Sequence, residues 1–298
     1  MRKETSAALD DRFRRSRALF LITGALLVQS AYPQTASIRK DSFETGVIDS
    51  SIWNNSDTEG CNAFVQTGDA ADGNRYLRST LTAKEGGGNY RCELRLRGVT
   101  TKDGGEVQEG DTVYYGVTYR VPASTLSDPL RVDTLTQWFQ NPNIGGGGCH
   151  QVIQVADNVM RWHNHNCGSV GGSDATLLSP YPKDTWIRVC KKAKWSTGSD
   201  GEIKVWVNPT SEANTPAKSY TGKTLIDDYT EVGMFKIGIY KTGWRTTSPP
   251  PNMAAMSPRI FEHDDIRLGR TFAEACGVSG DEQVPSPVPT PPTSVVVE

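Results

Sequence analysis

Residues Phe235–Trp244, FKIGIYKTGW, decide how this chain folds. In a β-strand, where side chains alternate between faces, Phe235, Ile237 and Ile239 point one way and Lys236, Gly238 and Tyr240 the other. One face suits a hydrophobic core. The other presents a cation, a bare backbone position and a phenol, where a purely structural strand would carry Thr, Ser or Glu. Such a face suggests a ligand groove, and a glycine inside a strand marks a close approach to the backbone.

The neighbouring sequence repeats the pattern. Short alternating runs lie between Gly, Pro, Asn and Asp clusters: Tyr90–Arg97, Thr112–Val121, Thr134–Gln140, Gln151–Asp157, Val159–Asn166, Thr185–Lys192, Glu202–Val207, Met234–Lys241 and Arg259–Leu268. Long amphipathic helices are absent, and Leu225–Tyr229 predicts one short helical turn. Regular strands with turn signals predict an all-β sandwich or jelly roll. With Asp157-Asn158 as a turn, His150 faces His165, Val152 faces His163 and Gln154 faces Arg161, all on one surface. Ile153, Val155, Met160 and Trp162 take the opposite, core-facing surface. Cys149 and Cys167 then flank the open end of the hairpin and predict a disulfide. In Tyr90–Arg97 the residues Arg91, Glu93, Arg95 and Arg97 share one side. In Leu135–Phe139, Gln137 shares a face with Leu135 and Phe139. Several strands thus contribute Arg, Lys, His, Gln and Tyr to one surface.

At 298 residues and 36% hydrophobic content the chain can bury a large core. A net charge of −2 argues against nucleic acid or a membrane surface as partner. Arg12, Arg14, Arg15 and Arg17 precede the apolar run Ala18–Val28 and small residues to Ala36, which predicts a secretory leader over 1–36 and an extracellular protein with no membrane attachment once the leader is removed. All six cysteines lie beyond it, an even number that favours disulfides. A glycosylation sequon at Asn54 predicts a surface loop. Residues 279–298, with PSPVPTPP, have the composition of an extended linker or tail. Residues 37–278 remain as one domain, read as a monomer.

A surface rich in Arg, Lys, His, Gln and Tyr and poor in carboxylates suits an anionic polysaccharide, and a uronic-acid polymer fits well. Cutting it by β-elimination requires neutralising the carboxylate, stabilising the enolate charge with fixed donors, removing the C5 proton and protonating the departing oxygen. Tyr and His can serve as acid and base, and Gln, Arg or His as carboxylate clamps. No cofactor is required for this chemistry.

RCEL (Arg91–Leu94), QW (Gln137-Trp138) and FKIGIY (Phe235–Tyr240), in that order, resemble the strand motifs of jelly-roll polysaccharide lyases of the heparin lyase I and glucuronan lyase type, with alginate lyases more distant. DSFETG with Trp53 (from Asp41) and FEHDDIRLG (Phe261–Gly269) resemble the first and last strands of that group. The resemblance covers nearly the whole of 37–278. It implies a β-jelly roll, a concanavalin A-like sandwich of two antiparallel sheets with a concave groove. It also implies Tyr240 as catalytic acid and as candidate base, Gln137 as carboxylate clamp, and Arg91 and Lys236 as holders of the anionic substrate. Where the family motif has His two residues after Gln, this chain has Phe139. Either Tyr240 performs both proton transfers or a hairpin histidine (His150, His163 or His165) takes the base role, with His163 preferred for its mid-strand place on the polar face. Glu93, Arg161, His150 and His165 complete the expected substrate-binding set.

Other readings of the same residues stand beside these. Tyr240 also suits edge packing, Gln137 a bond to a neighbouring strand, and Arg91 with Glu93 a structural ion pair. His150, His163 and His165 have zinc-compatible chemistry. His263 reads as structural. Glu44 near the start and Asp264-Asp265 near the end would meet around a structural Ca²⁺ if the first and last strands pair, as the resemblance implies for some members. A glycoside hydrolase would need two carboxylates across the groove, and a non-catalytic carbohydrate-binding module would need neither Tyr240 nor Gln137.

Overall fold

A computed structural model of the chain describes residues 39–57, 61–83, 90–99, 105, 107–125, 132–140, 148–156, 158–165, 167–227, 231–244 and 257–276. The expected leader, Asp157 of the hairpin turn and the tail lie outside the described residues. Among the described residues, fifteen strands, numbered in chain order, form two antiparallel sheets. One runs, in spatial order, β13 (Lys218–Thr221), β12 (Glu202–Val207), β11 (Ile187–Lys194), β6 (Thr112–Arg120), β15 (Arg259–Gly269), β4 (Arg75–Leu81) and β3 (Cys61–Thr67), with β1 (Arg39–Asp41) also paired to β15. The other runs β10 (Ala175–Leu178), β9 (Val159–His165), β8 (Cys149–Ala156), β7 (Asp133–Gln140), β14 (Met234–Tyr240), β5 (Arg91–Leu96) and β2 (Trp53–Asp57). This is the all-β jelly roll expected from the strand pattern and motifs.

Period-two alternation explains why these segments pair as they do. Phe235, Ile237 and Ile239 of β14, Leu94 of β5, Trp138 of β7, and Ile153 and Trp162 of the β8–β9 hairpin are buried in one core. Tyr115, Val117 and Tyr119 of β6 and Val189 of β11 meet them from the other sheet. The hairpin register is the one expected, with His150 opposite His165, Val152 opposite His163 and Gln154 opposite Arg161. Cys149 and Cys167 close its open end. Two further disulfides tie more distant parts: Cys61–Cys92 joins β3 to β5 across the sheets, and Cys190–Cys276 anchors the short helix α1 (Phe272–Ala275) to β11.

Strict alternation fails at two irregularities. β7 places Thr134 opposite Gln154 and Thr136 opposite Ile153, so Leu135 is the extra residue of a bulge. Leu135 therefore joins Thr136 and Trp138 on the buried side, and Gln137 does not share its face. In β14 the pairing with β7 shifts between Ile237 and Tyr240. Gly238 sits there with φ +131°, and a Cβ on it would lie 2.0 Å from the Cys92 carbonyl oxygen. The close approach to this glycine is made by the backbone of β5.

Two smaller expectations change and a third holds. Residues 225–227 form no helix. Asn54 lies within β2, paired to Arg95, because the Trp53–Asp57 segment completes the sheet edge. His263 is structural, as expected, and has partners: its Nε2 lies 3.3 Å from the Leu135 carbonyl oxygen and its ring meets the Tyr119 ring edge-on.

The core also contains an ionisable group. Lys191 of β11 is fully buried between the sheets, its Nζ donating to Gln151 Oε1 at 2.9 Å and lying 4.0 Å from the Trp138 ring centroid and 4.5 Å from that of Trp195. Burial in this aromatic box pushes its ammonium well below the usual lysine range. Below the unfolded value the unfolded chain then binds a proton that the folded chain does not, so this group costs more stability as pH falls from about 10.4. Lys191→Met is expected to raise the melting temperature at pH 7, with the gain shrinking toward pH 10. Thermal melts across that range would instead show a pH-independent loss if the ring box holds a charged ammonium.

Candidate active site

The polar face of the seven-stranded sheet is built by register. One row across the strands runs Arg95, Lys236, Gln137, Val152 and His163. A second runs Arg91, Tyr240, Thr134, Gln154 and Arg161. A third runs Met234, Phe139, His150 and His165. Between the first two, Glu93 stands opposite Gly238. Every expected catalytic or substrate-binding residue thus stands on one sheet, on strands β5, β14, β7, β8 and β9.

The tightest cluster centres on Glu93, which is 2% exposed. Gln137 Nε2 donates to Glu93 Oε1, and Arg91 Nη1 stands 3.7 Å from Glu93 Oε2. An ionised carboxylate only accepts, so Glu93 dictates that the Gln137 amide turns its NH₂ inward. The Arg91 guanidinium carbon lies 3.9 Å from the Tyr240 ring centroid, a cation stacked on the phenol. Arg91, Glu93, Gln137 and Tyr240 are therefore one connected unit.

The histidines form a second group. The rings of Phe139 and His150 pack at 4.2 Å, His150 and His165 at 5.7 Å, and His165 and His163 at 6.0 Å. Burial, with the nearby positive groups His165, Arg91 and Lys236, lowers the His150 imidazole to about 3. His150 is thus neutral at ordinary pH and shares the electrostatic field of Arg91 and Lys236. His163 is engaged differently, its Nδ1 2.6 Å from Asp174 Oδ2. Asp174, which also accepts from the Asn164 N–H at 3.1 Å, had no motif to announce it. Only the pairing of β10 with β9, Ala175 opposite Trp162, brings it beside His163. Arg161 is exposed at this end of the face.

The expected calcium ligands are engaged by other protein groups. Asp265 is bound by Arg188 and by Arg267 Nε at 2.6 Å, with Lys40 Nζ at 3.9 Å, so its charge is already answered by cations. Glu44 Oε1 instead accepts the backbone N–H groups of Asn74 and Arg75 at 3.0 and 2.8 Å. Asp264 accepts from the backbone N–H groups of Ala71, Asp72 and Asp265. Among the described residues no group of three or more His, Cys, Asp or Glu is placed to hold a metal ion, the histidine trio included.

Comparison with known proteins bears on this geometry. The polysaccharide lyase family model matches residues 43–265, which spans both sheets and every strand of the polar face. The chain belongs to the polysaccharide lyase family. Among solved structures, an endo-β-1,4-glucuronan lyase from the fungus Trichoderma reesei superposes with a TM-score of 0.61 at 17% identity, over 80% of this chain and 97% of that one. Alginate lyase Aly36B superposes with a TM-score of 0.51 at 15% identity, over 78% of this chain and 96% of that one. At these identities the likeness shows a shared fold. A comparison with curated protein sequences finds no match.

Two histidines of this lyase, the half-buried His150 and the buried His263, carry a pH signature. His150, lowered to about 3, and His263, lowered by burial to about 4, stay neutral in the fold while the unfolded chain protonates below about 6.5. Each therefore subtracts stability as pH falls from about 6.5. Asp264, raised by burial to about 7, acts in the opposite sense, since the folded chain then holds a proton that the unfolded chain releases. The informative quantity is thus a difference. His150→Phe is expected to become more stable relative to wild type as pH drops from 7 to 4, measured by urea midpoints; a constant difference would show that His150 protonates freely in the fold.

Proposed function

We propose that this lyase cleaves a uronic-acid polysaccharide, glucuronan-like in its linkage, by β-elimination outside the cell. The observation that carries the reading is the Arg91–Tyr240–Gln137–Glu93 unit, a phenol under a guanidinium beside a carboxylate-oriented amide. Lys236, Arg95 and Arg161 on the same face supply charge complementary to a polyuronate. Three disulfides suit an oxidising, extracellular setting.

In the proposed reaction Gln137 offers its second amide N–H, and Arg91 its charge, to the uronate carboxylate, so that negative charge developing there is stabilised. Tyr240, as phenolate beside Arg91, removes the C5 proton. The C4–O4 bond breaks as the C4–C5 double bond forms, and the new phenol returns its proton to O4. One product carries an unsaturated uronate at its non-reducing end, and the other a new reducing end whose anomeric hydroxyl is the former bridging oxygen. Tyr240 is preferred over the histidines for both transfers. His150, with its imidazole lowered to about 3, gives little driving force as a base near neutral pH. His163 lies on β9, three strand positions from β14, roughly 14 Å in the sheet, and its Nδ1 is held by Asp174.

A hydrolase reading is disfavoured by carboxylate placement. Among the described side chains of this face the acids are Glu93 on β5 and Asp174 beside β9, four strand positions apart and roughly 19 Å. Paired hydrolase carboxyl groups stand about 5–9.5 Å apart.

Incubation with polyglucuronate, alginate and heparin-type chains should give a rising near-ultraviolet signal from unsaturated uronate, largest with polyglucuronate. Reducing ends without that signal would mean hydrolysis, and retention on the polymer without cleavage would mean a binding module. Tyr240→Phe is expected to lower kcat by at least about a hundredfold, the scale of a lost general acid–base group, while polymer binding persists. A variant that keeps most of its turnover would sink the Tyr240 mechanism.

A further inference from the structure

Tyr240 is followed by Lys241, whose side chain is fully buried and turns inward to Asp133, with Nζ 3.2 Å from Oδ1. Asp133 precedes Thr134, the residue paired with Tyr240 across β7 and β14. The ion pair is therefore the next step of the same ladder, on the core side, immediately behind the Tyr240–Thr134 pair. Asp133 is itself 1% exposed and also accepts from Arg259 of β15, through Nε at 3.2 Å and through Nη2, so the cluster spans both sheets. The Lys241 backbone N–H donates to the Tyr90 carbonyl at 3.0 Å and its carbonyl accepts from the Trp244 N–H at 3.0 Å, which fixes the chain where it leaves the sheet.

Such a cluster is expensive to bury and is a weak source of net stability. Its location suggests what it does. The pairing of β14 with β7 is irregular between Ile237 and Tyr240, so the β7 side of the ladder does not by itself fix what Tyr240 meets, and β5 alone pairs with β14 without a break as far as Arg91. A one-residue slip would carry Tyr240 from the polar face into the core. A direct cross-strand ion pair at the first position after Tyr240 removes that freedom.

We propose that Asp133 and Lys241, braced by Arg259, are positioning residues that lock the register of β14 behind Tyr240 and hold its phenol against Arg91. The inference rests on the catalytic role proposed for Tyr240. It also assigns the pair an electrostatic effect, because a cation behind the ring favours the phenolate and an anion disfavours it.

The test uses Lys241→Met, Lys241→Arg, Asp133→Asn and Asp133→Glu in the full chain, with unsaturated-product kinetics on the cleaved polyuronate and circular dichroism to confirm folding. Lys241→Met and Asp133→Asn are expected to lower kcat about ten- to a hundredfold, the scale of a misplaced catalytic group, with little change in KM. Lys241→Arg should restore most of the rate. The rising limb of kcat against pH should move to higher pH in Lys241→Met and to lower pH in Asp133→Asn, a pair of opposite shifts that loss of stability alone does not produce. If Lys241→Met fails to fold, Asp133→Glu keeps every charge and adds one methylene, and it too should lower kcat. Folded variants with wild-type kcat and unmoved pH limbs would overturn the positioning role. Tyr240→Phe is run beside them: if it stays active the Tyr240 mechanism itself is wrong, whereas an inactive Tyr240→Phe with unaffected Asp133 and Lys241 variants removes only this inference.

Discussion

The contact between Gly238 and the Cys92 carbonyl oxygen is the constraint around which the polar face is organised. With a Cβ position 2.0 Å from that oxygen, only glycine lets β14 lie against β5 while its pairing with β7 shifts. A positive φ of +131° adds a backbone reason for the same residue. The shift decides which β7 residue Tyr240 meets, Thr134, while the unbroken pairing with β5 sets it opposite Arg91. Gln137 reaches Glu93 across the regular Lys236 step of the same strand, so one local irregularity and two regular ladders set the side-chain neighbours on which the proposed chemistry depends.

Three buried carboxylates follow one pattern. Glu262 receives Arg78 and Arg120, Asp265 receives Arg188 and Arg267, and Asp133 receives Arg259 and Lys241. Each carboxylate is desolvated and each is answered by two cations from different places in the chain, or nearly so for Arg267 two residues away. Removing one partner from such a group strands the rest, which is why these clusters are sensitive to single substitutions. The expected calcium ligands are engaged by other groups: Glu44 Oε1 and both Asp264 oxygens accept backbone N–H groups, and Asp265 is met by the guanidinium groups of Arg188 and Arg267.

The sequence made the alternating parts of the fold legible and left the irregular parts obscure. The β8–β9 hairpin could be read to the residue because its register depends only on one turn and on alternation within sixteen or so positions. The two-sheet fold and the shared polar face followed from the same periodicity. Leu135 was misplaced because a bulge carries no local signal when both neighbours are uncharged and branched. Asp174 was missed because its meeting with His163 needs the pairing of a short strand that alternation does not announce. The Asn54 sequon read as a loop because Asn and Ser are weak strand formers, yet an edge position beside Arg95 absorbs them.

Phe139 shows how one substitution redistributes a site. The resemblance to jelly-roll lyases implies a histidine there, on the central strand beside Gln137. In this chain the imidazole nearest that place belongs to His150, one strand over and packed 4.2 Å from the Phe139 ring. The move changes more than position. Packed against a phenyl ring and facing Arg91 and Lys236, the imidazole is held neutral, so it can donate or accept a hydrogen bond but is a poor proton store. On the proposed mechanism the proton inventory of the site then falls to Tyr240, and the guanidinium 3.9 Å from its ring becomes the means of stabilising the phenolate that the reaction requires. A site that loses its histidine base in this way depends more heavily on the exact seat of one phenol, and a buried ion pair directly behind that phenol is the kind of support such dependence calls for.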